Sequence, residues 1–235
     1  HYPLELKVKN YDYYKELQKK IKKIKPKLVA IANPNQPIEA MLSLKQIKNI
    51  CKLAEKFGSL VIIDEAYYHF NNVTAQSLIK SCQNLIVVRT FSKAFGVAGM
   101  RIGYTISNKK IIGYMLSIKP IYEINAFNMK LVRILIKNIK VMKNYVKEVH
   151  KGRMILRKFL HERHIEMIGK YSNTVLFKLE SKTKVDKVIK YLFKNKFIVR
   201  PMKIDNDDKY IRATLGSSKI MKKFTSKLKL ALELK

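Results

Sequence analysis

The sequence predicts an α/β fold, a three-layer sandwich around a mainly parallel sheet, followed by a smaller α+β domain. Three observations carry this prediction. Short apolar runs alternate with stretches of helical periodicity through the first half of the chain, the pattern of β-α-β units. After Asn108 the pattern changes to long amphipathic helices. Beyond them, short strand-like runs again alternate with helical ones. The 235 residues suffice for one large domain or two small ones, and the change of pattern puts the expected boundary at 1–145 and 146–235.

Tyr11 to Ile24 reads as an amphipathic helix. Leu28 to Asn33, LVAIAN, is a short buried strand that enters a turn at Pro34-Asn35-Gln36-Pro37. Ser43 is a candidate N-cap, and Ile47, Ile50, Cys51, Leu53, Ala54 and Phe57 recur at helical spacing until Gly58 closes the element. Ser59 to Asp64 is almost wholly apolar, as a strand covered on both faces should be. A helix over Thr74 to Lys80 leads to strands at Asn84 to Arg89 and Met100 to Ile106. Two helices follow, Ala126 to Ile139 and Lys143 to Arg163. The last part predicts strands at Asn173 to Leu179, Phe197 to Arg200 and Tyr210 to Thr214, with helices at Lys184 to Lys194 and Ser218 to Leu234.

Lys plus Arg number 49 against 17 Asp plus Glu, a net charge of +32. Such an excess points first to nucleic acid or a membrane surface. The lysines, however, are spread from Lys7 to Lys235 and accompany abundant Ile, Asn, Tyr and Phe, all with A/T-rich codons. Base composition accounts for that profile, and aromatics do not interleave with the basic residues as a single-strand stacking platform requires. Nucleic acid is therefore not the expected partner. Cys51 and Cys82 form no CxxC pair and have no plausible metal-ligand neighbours, so no metal is expected and a reducing, cytoplasmic compartment fits best. No apolar run approaches the roughly 20 residues of a membrane span, and no signal peptide is expected. The chain starts at His1, in a segment that reads as the middle of a longer sequence, so an N-terminal truncation is expected.

Three polar clusters fall at the carboxyl ends of predicted strands: Asn33-Pro34-Asn35-Gln36-Pro37, Asp64-Glu65-Ala66-Tyr67 and Thr90-Phe91-Ser92-Lys93. In open α/β sheets, ligands bind at those ends. Each cluster alone is ordinary turn chemistry; three together point to a site. The Lys93 amine is offered from a partly buried loop, where desolvation favours its neutral, nucleophilic form and suits imine formation with an aldehyde. Arg101, beyond the Val97-Ala98-Gly99 turn, can grip a phosphate bidentately with the Ser92 and Thr90 hydroxyls.

The run Arg89-Thr90-Phe91-Ser92-Lys93-Ala94-Phe95-Gly96-Val97-Ala98-Gly99-Met100-Arg101-Ile102-Gly103-Tyr104 closely resembles the lysine segment of class I/II pyridoxal-phosphate aminotransferases. Within them it resembles the histidinol-phosphate aminotransferase branch. Asn33 to Pro37, Asp64 to Phe70 and Tyr210-Ile211-Arg212-Ala213-Thr214-Leu215-Gly216 resemble further motifs of that branch, in the right order. The resemblance implies the aspartate-aminotransferase-like fold, fold type I, with pyridoxal 5'-phosphate as cofactor. It implies that Lys93 holds the cofactor covalently and then shuttles the proton at the substrate α-carbon, and that Asp64 keeps the pyridine nitrogen protonated. Tyr67 and Gln36 would hydrogen-bond the phenolic oxygen, and Thr90, Ser92 and Arg101 would hold the phosphate. Arg212 would clamp the substrate carboxylate, with Asn173 close to the substrate.

The implied reaction moves an amino group between an amino acid or amino-phosphate compound and a 2-oxo acid, in a homodimer. The alternatives are a decarboxylase of the same fold, of the threonine-phosphate type, and a non-catalytic remnant that persists as a basic binding protein. Two departures stand out. The family commonly has Asn where this chain has Gln36, and Thr-Gly where it has Ile38-Glu39. Family members also carry a further N-terminal segment, with a phosphate-binding helix start and an aromatic that stacks on the ring; neither is identifiable before Leu28.

Overall fold

A computed structural model of the chain describes residues 12–121 and 123–234. Tyr11, the first residue of the predicted N-terminal helix, lies outside them. The described residues divide into two compact units, one made of 12–36 and 40–142, the other of 37–39 and 143–234.

The first unit is built on a four-stranded sheet: β1 (Leu28–Ala32), β2 (Leu60–Asp64), β3 (Leu85–Thr90) and β4 (Gly103–Ile106), in that spatial order. The first two pairings are parallel and the third antiparallel. Ala32 pairs with Asp64 and Asp64 with Val88, so the carboxyl ends of β1, β2 and β3 finish side by side. Helices α1 (Tyr13–Ile24) and α2 (Leu44–Glu55) share a core with one sheet face. Leu17, Ile21, Ile47, Ile50 and Ala54 meet Val29, Ile31, Val61, Ile63, Leu85 and Val87 there. Ser43 begins α2 with a capping box, its hydroxyl accepting from Gln46 N while the Gln46 side chain accepts from Ser43 N.

Strand β1, predicted to be buried, and β2, predicted to be covered on both faces, are covered on one by the described residues. Leu28 and Leu60, on the opposite face, are 51% and 39% exposed, and burial alternates along both strands, as the period-two side-chain direction of a half-covered strand requires. The predicted helix at Thr74 to Lys80 is instead a short 3-10 helix, Ala75–Leu78, preceded by the one-turn α3 (Tyr68–Asn71). Ala75 N is tied to Glu65 Oε1 at 2.6 Å and β3 opens at Leu85, which leaves too little chain for a full crossover helix. No helix joins β3 to β4. A 3-10 turn at Ala98–Met100 reverses the chain through Arg101 at φ 52°, and a Cβ on Gly103 would stand 2.6 Å from Arg89 O, so that close pairing needs glycine. Two helices complete the unit, α4 (Lys109–Ile118), which the sequence reading did not contain, and α5 (Ala126–Lys137). The long α6 (Ile139–His161) contains the boundary between the units. No helix of the described residues is long and apolar enough to cross a membrane.

The second unit carries an antiparallel sheet of β5 (Met167–Ile168), β6 (Thr174–Lys178), β7 (Arg200–Ile204) and β8 (Asp207–Thr214), in the order β5-β6-β8-β7. Helices α7 (Lys182–Lys194) and α8 (Ser218–Leu232) are capped by the Ser181 and Ser217 hydroxyls. Val185, Val188, Leu192, Phe224 and Leu228 are buried, as are Val175, Phe177 and Ile211 of the sheet. The predicted strand at Phe197 to Arg200 begins only at its last residue. Phe197 N returns to Leu192 O, and the Phe197 ring packs edge-on against Phe224 at 5.5 Å, so Phe197 belongs to the end of α7.

Candidate active site

Seven of the nine predicted site residues lie in the first unit and two, Asn173 and Arg212, in the second. The first unit's residues gather at the carboxyl ends of its parallel strands. There the Asn33 side chain closes the first loop by donating to Leu42 O at 3.2 Å and accepting from Leu42 N at 2.7 Å. Within that loop Asn35 Oδ1 accepts from Ala40 N at 3.1 Å. Asn35 Nδ2 is buried and has no acceptor among the described residues, an arrangement that suits a ligand oxygen. Gln36, next in the chain, is half-buried.

Asp64 ends β2 and accepts from Ala66 N at 2.9 Å. It is exposed, because it points to the face that the described residues leave open. The turn that follows, with Tyr68 N returning to Glu65 O at 2.9 Å, buries Tyr67. Lys93 Nζ stands 5.5 Å from the centre of the Tyr67 ring, so an amine and a phenol predicted from separate motifs come together. Ser92 is half-buried and its N–H donates to Thr90 Oγ1 at 3.0 Å. The Thr90 hydroxyl itself donates to Ile102 O at 3.2 Å. Thr90 thus links the Ser92 turn to the segment that enters β4. Arg101 is exposed and donates to Ala98 O at 3.4 Å, which leaves most of its guanidinium fork available.

The sequence reading missed the pair that braces these residues. Glu65 and Arg89, each one residue from a predicted site residue, form a buried ion pair at 3.0 Å. Arg89 also donates to Thr74 Oγ1 at 2.7 Å and Gln76 Oε1 at 3.2 Å, and lies 3.7 Å over the Tyr68 ring. Burial opposes the Arg89 charge, but hydrogen bonds to Tyr104 and Glu65 outweigh it and raise its pKa. Burial, and then the Arg89 charge, lower the pKa of His69. The available signal was a single charge at the end of the apolar run Leu85 to Val88, which has to be paired when buried.

In the second unit Asn173 is buried and its carbonyl accepts from Leu215 N at 2.8 Å. Arg212, half-buried on β8, stands directly opposite Arg200 of β7. Like charges directly opposed across a ladder destabilise it unless an anion lies between them. Arg200 was not singled out from sequence, since only strand pairing brings the two arginines together.

Residues 5–228 match the family model for aminotransferase class I and II. The chain belongs to the class I and II aminotransferases. It is 30% identical over 215 residues to histidinol-phosphate aminotransferase 1 of Carboxydothermus hydrogenoformans, covering 91% of this chain and 59% of that protein. The chain thus spans less than two thirds of that curated relative. The fold is that of the fold type I aminotransferases: the histidinol-phosphate aminotransferase of Sinorhizobium meliloti, solved with pyridoxal-5'-phosphate, superposes with a TM-score of 0.83 at 17% identity, covering 96% of this chain and 63% of that one. A decarboxylase from Sulfurospirillum multivorans superposes with a TM-score of 0.80 at 25% identity, covering 95% of this chain and 60% of that one.

Proposed function

We propose that this aminotransferase-family chain acts with pyridoxal 5'-phosphate to move an amino group between an amino acid, or an amino-phosphate compound of the histidinol-phosphate kind, and a 2-oxo acid. The observation that carries the reading is the Lys93 amine 5.5 Å from the Tyr67 ring, at the strand ends where Asp64 and Ser92 also lie. The donor set fits the cofactor. It offers one nucleophilic amine, one carboxylate, one phenol, the buried Asn35 donor with no acceptor among the described residues, and the Ser92 hydroxyl and Arg101 guanidinium for a phosphate.

When bound, the cofactor supplies an electron-accepting pyridinium ring. Lys93 would hold it through Nζ and, once released, carry the proton to and from the substrate α-carbon. Asp64 would keep the ring nitrogen protonated, with Tyr67 and the Asn35-Gln36 turn donating to the phenolic oxygen. Thr90, Ser92 and Arg101 would bind the phosphate. Arg212, with Arg200 opposite, would bind the anionic groups of the substrate, and Asn173 would lie near them. The working enzyme is proposed to be a homodimer, supported by the apolar exposure of α4 and α5, where Ile118 is 83% and Phe127 71% exposed. Free, buried Cys51 and Cys82 support a reducing cytoplasmic setting.

The test is to mix the chain with pyridoxal phosphate, reduce with borohydride and map the modified lysine. Labelling concentrated at Lys93, and lost in Lys93→Ala, is expected; labelling scattered over many lysines would sink the assignment. A second reading, decarboxylation on the same residues, is favoured by the likeness to the Sulfurospirillum multivorans protein. Glutamate formed from 2-oxoglutarate and an amino donor marks the transaminase; carbon dioxide without it marks the decarboxylase.

A further inference from the structure

The segment Pro37–Glu39 belongs to the second unit, and two of its three side chains are held there. Ile38 packs against the cluster of Leu176, Ile204 and Tyr210. Glu39 is buried at 6% exposure in the left-handed region, φ 56°, which non-glycine residues seldom adopt. Its carboxylate is received by one turn. Oε2 accepts from Lys170 N and from Tyr171 N, the latter at 2.5 Å, while Oε1 accepts from Ser172 N at 3.0 Å and from the Ser172 hydroxyl. Consecutive backbone N–H groups converging on one point make an anion-binding concavity.

The turn is held from its other side as well. Arg153, buried at 6% exposure, donates Nη1 to Lys170 O at 2.5 Å and Nη2 to Ser172 O. The same three residues thus give their amides to a carboxylate and two of their carbonyls to a guanidinium. Burial lowers the Arg153 pKa and the Glu39 charge works against that shift. Gly169, at φ 131°, starts the turn where a Cβ would stand 2.8 Å from Thr174 O.

We propose that the 169–172 turn, braced by Arg153, is a built carboxylate-binding site that the chain fills with its own Glu39, and that the second unit captures the 37–39 segment through it. The site recognises a small monocarboxylate by two acceptor oxygens spread over three amides and a hydroxyl. With Glu39 removed it takes formate from solution. The inference is independent of the reaction proposed above.

The test uses the full chain and Glu39→Gly, a substitution that also suits the left-handed backbone. Sodium formate, titrated at ionic strength held constant with chloride, is expected to raise the unfolding midpoint of E39G saturably by about 3 °C and to leave the unsubstituted chain unmoved. Equal responses in the two proteins, or none in either, would overturn the proposal. If E39G does not fold, Glu39→Gln supplies the second measurement. Amide hydrogen exchange at Lys170, Tyr171 and Ser172 is expected to quicken about tenfold, with the β6–β8 ladder unchanged; unaltered exchange at those three amides would refute the site.

Discussion

At the scale of single residues, the buried pair Glu65–Arg89 shows how the site is held. Neither group touches a proposed ligand, yet each sits next to a residue that would, and the pair ties the end of β2 to the end of β3. Removing one partner of a buried ion pair strands the other and costs about 3–5 kcal/mol. Glu65→Ala is expected to lose that much in urea unfolding, while Glu65→Ala with Arg89→Met is expected to recover part of it; full additivity of the two changes would rule out the pairing. Glu148 offers a pH-dependent counterpart. Hydrogen bonds from Lys151 and from the Ser218 hydroxyl and N–H, at the start of α8, pull its pKa from 4.5 down to about 2. A depressed folded pKa stabilises the fold above the unfolded value and loses that effect as pH falls. The stability difference between the unsubstituted chain and Glu148→Gln is therefore expected to be constant above pH 4.5 and to vanish toward pH 2. A difference that grows on acidification would contradict the cap.

At the scale of elements, the strands and long helices follow their apolar spacing, and the exceptions follow contacts that spacing does not encode. The Ser43 cap, the run of α2 and the apolar cores of β1 to β3 are visible in the chain because their determinants are local. The 3-10 turn at Ala75–Leu78 is not, since its start is fixed by Glu65, ten residues back. Helix α6 illustrates the same dependence. A Cβ on Gly152 would press on Gly216 O and stand 2.8 Å from Met221 Cγ, so α6 approaches the loop before α8 at the one position where glycine permits it. Gly152→Ala is expected to cost about 1–3 kcal/mol by overpacking, read as a lowered thermal midpoint, although alanine is the better helix former. A neutral or raised midpoint would show that this contact yields.

At the scale of the whole molecule, charge and apolar exposure point to different partners. The excess of cations is spread along the chain, whereas the exposed apolar residues concentrate on α4 and α5, where α5 buries none of its described side chains. Self-association through that face is expected to be insensitive to salt, and binding to nucleic acid, if any, to fall steeply with it. Sedimentation velocity across concentration measures the first: Ile118→Asp with Phe127→Asp is expected to shift the chain toward monomer, and an unchanged distribution would move the proposed dimer to another face.

The sequence by itself determined the α/β class, the parallel order of the first three strands and the family. The motifs that carry these are contiguous, and short-range patterns of polarity are written directly in the chain. Tertiary structure decided which carbonyl the Thr90 hydroxyl meets, that of Ile102, and which like charges face each other, as with Arg200 and Arg212. It also decided how a glutamate came to occupy a left-handed turn at Glu39. Each of these depends on hydrogen bonds or strand pairings between residues at least a dozen positions apart, and no local spacing specifies such partners.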